Sequence, residues 1–395
     1  MRREATASRA AIASSYCLNL RCLSRIAALV RPEELAKVYH ERHRTARGSE
    51  RVDADVPTSP LLSQRLSQLT RRLPPAVLYQ VLECPPVHGY KFFVDDKGHL
   101  RSGWRLAIFA VAFIISVQLS HALFIRSLSL MLHRSNIAVG NSNWGVLAGH
   151  GSILFSALIV GWACGALLEE LPIGSLGITP HQGWLKNFAM GSLLGGASLP
   201  LAAGLTAATR GVSFSFDAAG AGSISGTLGT SLLVFVFAAA AEELLFRGYP
   251  LQTLTRANLA WPGILLTSVP FAAVHLNNPH AVPGFTFINT ALAGVWLAVA
   301  YLRTRSLWLP LGLHWSWNWA QASLLGLPVS GIERIAPAPL LRAVNAGPDW
   351  LTGGAYGIEG GAACTVALLI STLVIWRVKL FSRADVPEQV SEARP

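Results

Sequence analysis

From Trp104 to Val378 the chain alternates apolar stretches with short polar connections, and nothing else in the sequence constrains its fold as strongly. About 20 apolar residues suffice to cross the hydrocarbon core of a bilayer. Inside that core every backbone N–H and C=O must be satisfied within the chain, which leaves helices as the economical solution for isolated stretches. The pattern predicts eight spans: Trp104–Leu128, Val146–Leu168, Phe188–Ala208, Leu228–Phe246, Ala260–Leu276, Phe285–Leu302, Leu307–Leu325 and Gly360–Val378. The expected fold is an all-α, polytopic membrane helical bundle of about eight transmembrane helices. The third, fifth and seventh spans contain Gly or Pro, among them Gly191, Gly195, Pro200, Pro262, Gly263, Pro270, Pro310 and Gly312. Membrane helices tolerate these where neighbours approach closely.

Composition agrees. Hydrophobic residues make up 52% and charged residues 13%, about half the usual charged share of soluble domains, and mean hydropathy is +0.42. The net charge of +11 is concentrated early: residues 1–105 hold 18 Lys/Arg against 10 Asp/Glu. A basic segment ahead of the first span reads as a cytoplasmic, positive-inside extension, not as a nucleic-acid-binding arm. The expected organisation is a basic, partly disordered extension over 1–100, a membrane domain over 101–380 and a tail over 381–395. Within the extension, acids return at Glu33, Glu34 and Glu41, which favours a disordered tail over a targeting peptide for residues 1–55. Residues Leu61–Leu73 can form a helix lying on the membrane surface or a solvated linker helix. Basic residues at both flanks (Lys97, Arg101 and Arg105; Arg377, Lys379 and Arg383) predict that both termini are cytoplasmic. Cys17, Cys22, Cys84, Cys164 and Cys364 form no CxxC pair, so neither a disulfide framework nor a zinc-thiolate site is indicated.

Three polar clusters interrupt the spans. Glu242 and Glu243 follow the run SLLVFVFAAAA, and Arg247 lies one helical turn after Glu243. Ionisable groups at membrane depth are costly, and a pair of them points to a functional site. Phe271 and His275 are four residues apart in span five, and His314 and Asn318 four apart in span seven, so each pair shares a helix face. Taken singly, a His or Asn in a span is as readily a helix-packing residue as a functional one. On three helices of one bundle they can converge. A carboxylate beside an imidazole can deprotonate water, and imidazole and carboxamide N–H groups can stabilise an oxyanion. Glu242, His275 and His314 can equally be three ligands of an open metal site, so zinc and no metal at all fit the same residues. The soluble zincin signature HExxH is absent.

EELLFR fits EExxxR, FAAVH fits FxxxH and HWSWN fits HxxxN. In this order and on successive apolar segments they resemble the CPBP family, which takes in CAAX proteases, bacteriocin-processing enzymes and Abi-type proteins and includes the type II CAAX prenyl endopeptidases. GSLGITPHQGW, between spans two and three, is similar to a short loop of that family. The resemblance covers about residues 100–380. It implies an intramembrane endopeptidase in a bacterial plasma membrane, acting on a membrane-associated protein or peptide that need not be prenylated. By motif position it implies that Glu242 and His275 activate water, that His314 and Asn318 stabilise the oxyanion, and that Glu243, Arg247 and Phe271 support them. Members have been described both as metalloproteases and as glutamate-type proteases. A non-catalytic scaffold or immunity protein on the same fold, or a transporter, are the competing readings. Elsewhere, Glu169 and Glu170 are expected to be solvated at the end of span two. His121 and His150, and the tryptophans around span seven, are expected to serve packing or the membrane interface.

Overall fold

The computed structural model describes residues 90–95, 99–140 and 142–384. The expected disordered tail, the Leu61–Leu73 helix, Cys17, Cys22, Cys84 and most of the C-terminal tail lie outside the described residues.

Eight helices match the eight apolar stretches. They are α1 Ser102–Leu132, α2 Asn143–Glu169, α3 Trp184–Ala208, α4 Ala221–Glu243, α5 Ala260–His275, α6 Phe285–Thr304, α7 Trp308–Trp319 and α8 Ala362–Arg377. Five helical runs are long and apolar enough to cross a membrane: α1, α2, α3, α6 and the run that begins with α4 and extends to Arg256. The chain is an integral membrane protein. Length alone does not confirm eight full spans: α5 and α8 each have 16 residues, and α7 has 12 before its run continues through the π turn Ala320–Leu324.

The α4 run departs from expectation in a way that matters. Helix α4 does not stop near Phe246 but passes through a π turn, Leu244–Gly248, into a further helix, Tyr249–Arg256. Glu242 therefore lies inside a 36-residue run, about 20 Å of helix before its Arg256 end. The polar residues Gln252 and Arg256 ended the apolar stretch in sequence, yet both are held by partners. Gln252 Nε2 donates to the Leu176 carbonyl at 2.8 Å, and Arg256 makes two bonds to Glu169 at 2.9 and 3.0 Å. Glu169 also meets Arg105 at 3.1 Å. Its side chain is 6% exposed, so the expectation of a solvated carboxylate was wrong: one acid ties α1, α2 and the end of the α4 run together.

Helix α7 is the centre of the packing, lying against α3, α4 and α6. Small residues allow the α3–α7 approach. A Cβ added at Gly191 would stand 2.3 Å from the Leu309 carbonyl oxygen, and one at Gly312 the same distance from that of Phe188. One core joins α3, α6, α7 and α8 through Leu199, Trp296, Leu313, Trp317 and Leu368. A second joins α1, α2, α5 and α6 through Phe109, Val160, Tyr249, Ile264 and Tyr301. The outer side of α1 carries exposed Val111, Ile114, Ile115, Leu119 and Leu123, an apolar surface suited to lipid.

Two short strands add what hydropathy does not reveal. β1, Val212–Phe216, joins α3 to α4. It pairs antiparallel with β2, Leu341–Asn345, from the connection between α7 and α8. That connection is an ordered, glycine-rich stretch folded back on the bundle. Gly357, at φ 101°, stands where a Cβ would lie 2.1 Å from the Pro328 carbonyl oxygen.

Candidate active site

The three motif clusters meet at one cavity of about 110 Å³. Glu242 enters it from α4, Phe271 and His275 from α5, and His314 and Asn318 from α7. The walls between these polar groups are apolar, formed by Val234, Phe235, Trp296, Leu297 and Trp317 among others. Low-dielectric surroundings of this kind strengthen hydrogen bonds and charge interactions inside the site.

The adjacent glutamates point different ways, as neighbouring helix positions must. Glu242 lines the cavity and its side chain is 21% exposed. Glu243 is 1% exposed and faces the interior. Its Oε1 accepts from Arg247 Nη1 at 3.0 Å and from His314 Nδ1 at 2.8 Å. Arg247, wholly buried, donates with Nη2 to the Gly294 carbonyl at 3.1 Å and lies 4.6 Å over the Phe271 ring. A buried charge pair stays affordable only with such further hydrogen bonds, and the Phe271 face adds a cation–π contact. Glu243, Arg247 and Phe271 thus form a frame behind the cavity.

That frame sets both imidazoles. With Nδ1 of His314 committed to Glu243, its Nε2 is the nitrogen turned to Glu242, 3.6 Å from Oε2. His275 donates from Nδ1 to the Phe271 carbonyl at 2.6 Å, a bond to its own helix, and presents Nε2 at 3.9 Å from the same Glu242 oxygen. That oxygen, Oε2, is buried and takes no hydrogen bond from a described residue. A buried polar atom in that condition is normally satisfied by water or substrate. Asn318 lines the same cavity. The two π turns flank these residues, Leu244–Gly248 directly after the glutamates and Ala320–Leu324 directly after Asn318. Such wide turns recur at functional sites, and no local sequence signal announced either one.

The same donors bear on the metal alternative. Among the described residues no group of three or more His, Cys, Asp or Glu side chains is arranged to hold a metal ion. Glu242, His275 and His314 are brought together, but the reading of them as a metal site gains no support from their geometry. No step below passes through a metal.

Several lining residues were not foreseen in the sequence. His150 of α2 lines the cavity, although packing was the expected role; its Nδ1 donates to the Val146 carbonyl at 3.0 Å. Trp317 lines it as well as filling the core. Glu359 and Ser330 come from the α7–α8 connection, and Asn289 and Thr290 from α6. The available signal for Glu359 and His150 was the one that marked Glu242, an ionisable residue next to an apolar run, but neither belongs to a motif.

Comparison with known proteins adds one match. No curated protein and no solved structure matches the chain. Residues 224–320 match the family model described as Rce1-like, type II CAAX prenyl endopeptidase Rce1-like. The matched stretch holds every motif residue from Glu242 to Asn318, and the match is consistent with a CPBP-type, CAAX-protease family.

Proposed function

We propose that the protein is an intramembrane endopeptidase that hydrolyses a peptide bond of a membrane-associated protein or peptide with a water activated by Glu242 and His275. The observation that carries this reading is the convergence of two imidazole Nε2 atoms on the unpartnered Glu242 Oε2, in a cavity that Asn318 also lines.

A water held between Glu242 and His275 gives up a proton to Glu242 as its oxygen attacks the scissile carbonyl carbon. His275 orients that water through Nε2, its ring fixed by the bond to the Phe271 carbonyl. Negative charge then grows on the carbonyl oxygen. The Asn318 amide and His314, when protonated at Nε2, donate to it. Glu243 and Arg247 act through His314, holding its ring and its tautomer. Burial of most of the site keeps bulk water from competing for these hydrogen bonds.

The membrane setting supplies the substrate class. A cavity among lipid-facing helices receives substrates carried by the bilayer, and the apolar walls around the polar centre suit an aliphatic or aromatic side chain. The reading includes a bacterial plasma membrane with both termini cytoplasmic, for which the basic residues at both flanks of the membrane domain are the support.

The test is cleavage by the purified protein in proteoliposomes of a fluorogenic peptide library that includes prenyl-cysteine peptides. Cleavage by wild type that is lost in both His275→Ala and His314→Ala is the expected result. No cleavage of any peptide by wild type, or cleavage unaffected by both substitutions, overturns the reading.

A further inference from the structure

A second carboxylate lines the cavity. Glu359 sits in the short turn Ile358–Gly360, just before α8, and lines the cavity with Glu242, His275 and His314. The fold fixes it by several independent means. Ser330 donates to its Oε2 twice, from the backbone N–H at 2.6 Å and from Oγ at 2.8 Å. To do so Ser330 adopts φ 47°, a left-handed conformation uncommon for a residue other than glycine and typical of backbone held for a purpose. Asn289 of α6 clamps the turn, donating to the Glu359 and Gly361 carbonyls, each at 2.8 Å, while accepting from Thr365 Oγ1 at 2.6 Å.

The two oxygens of Glu359 therefore differ. Oε2 is saturated by Ser330, an arrangement open both to a carboxylate and to the carbonyl oxygen of a neutral carboxylic acid. Oε1 has no hydrogen-bond partner among the described residues. Burial pushes the Glu359 carboxyl above the ordinary carboxylate range, against the opposing Ser330 hydrogen bonds and the nearby His275 and His314 imidazoles. Glu242 has those same imidazoles at its Oε2, 3.9 and 3.6 Å away, and no serine donor on that oxygen. Two carboxyl groups in contrasting environments are how one site comes to hold both an acid and a base.

We propose that Glu359 is the general acid of the reaction, donating its Oε1 proton to the leaving amine. The proposal rests on the endopeptidase reading. Glu242 takes one proton from water, the resulting hydroxide forms the C–O bond, and a tetrahedral intermediate results. As the C–N bond breaks, its electron pair goes to nitrogen, which takes the Glu359 proton. The acid product and the amine leave with Glu242 protonated and Glu359 ionised. One proton passing from Glu242 to Glu359 through cavity water restores the start.

An acid is needed only where the leaving group is a poor one, and this supplies the test. A peptide that wild type cleaves is compared with its depsipeptide, identical except for an ester at the scissile bond, because an alkoxide leaves far more readily than an amide anion. Both are assayed with wild type, Glu359→Gln and Glu242→Gln in proteoliposomes. Gln keeps an oxygen for Ser330 but carries no transferable proton. Glu359→Gln is expected to lose about 100-fold or more in kcat on the amide, with KM little changed, and to stay within a few-fold of wild type on the ester. Glu242→Gln is expected to fail on both. Amide cleavage by Glu359→Gln at the wild-type rate overturns the general-acid role while leaving the endopeptidase reading intact. Equal losses on amide and ester overturn it too, by assigning Glu359 a structural or water-activating part. Failure of wild type on every amide overturns both.

Discussion

Glu243 and Arg247 are 1% and 0% exposed, and their cost is met only because each is satisfied more than once. Removing one partner strands the other. Arg247→Leu is expected to destabilise the protein by about 3–5 kcal/mol, read as a loss of folded protein in detergent unfolding titrations. Arg247→Lys keeps the charge but cannot reach Glu243 and Gly294 with two separate nitrogens of one planar group, so it is expected to recover only part of that loss. Glu242 differs in kind, since its Oε2 has no protein partner to strand. Substituting it is expected to leave folding nearly intact.

At this scale the motif residues were legible in the sequence. Spacing alone put Phe271 with His275 and His314 with Asn318, and the helices delivered both pairs to one cavity. Which glutamate faces that cavity was not fixed by spacing, since adjacent positions on a helix are equivalent until packing chooses between them. Glu359 belonged to no motif, and its place beside an apolar run was its one mark. Its partner Ser330 is 29 residues away along a connection with no periodicity, and only the folded connection brings the two together.

Among the elements, hydropathy located the helices α1 to α8, each of which falls on an apolar stretch. It misjudged the end of the α4 run, where polar side chains are paid for by specific partners. Glu169 and Arg256 are separated by 87 residues, so no local window reveals that each neutralises the other. The π turns were invisible for a similar reason: they change backbone register, not composition. The α3–α7 contact gives a prediction at this level. Gly191→Val forces side-chain carbon against the Leu309 backbone and is expected to destabilise the bundle by about 1–3 kcal/mol. Gly196→Val on the same helix, where a Cβ meets nothing within 4 Å, is the matched control and is expected to change stability little. Thermal unfolding of the two variants side by side checks this.

For the whole molecule, the outer face of α1 is apolar and suited to lipid, while the polar motif residues are gathered in an inner cavity. In a variant with the native cysteines replaced by serine, cysteine placed at Ile114 or Leu119 is expected to resist a water-soluble maleimide in proteoliposomes. Cysteine placed at Trp350, equally exposed but in the α7–α8 connection, is expected to react. Ready labelling at Ile114 would mean that α1 does not face lipid. The central claim is that the carboxylate of Glu242 activates the water that cleaves the peptide bond. The direct measurement is kcat of Glu242→Gln against wild type on one cleaved peptide, with both proteins folded to the same extent in the same proteoliposomes. A fall of at least about 100-fold is predicted, the size of a lost general base. Turnover within a few-fold of wild type would contradict it.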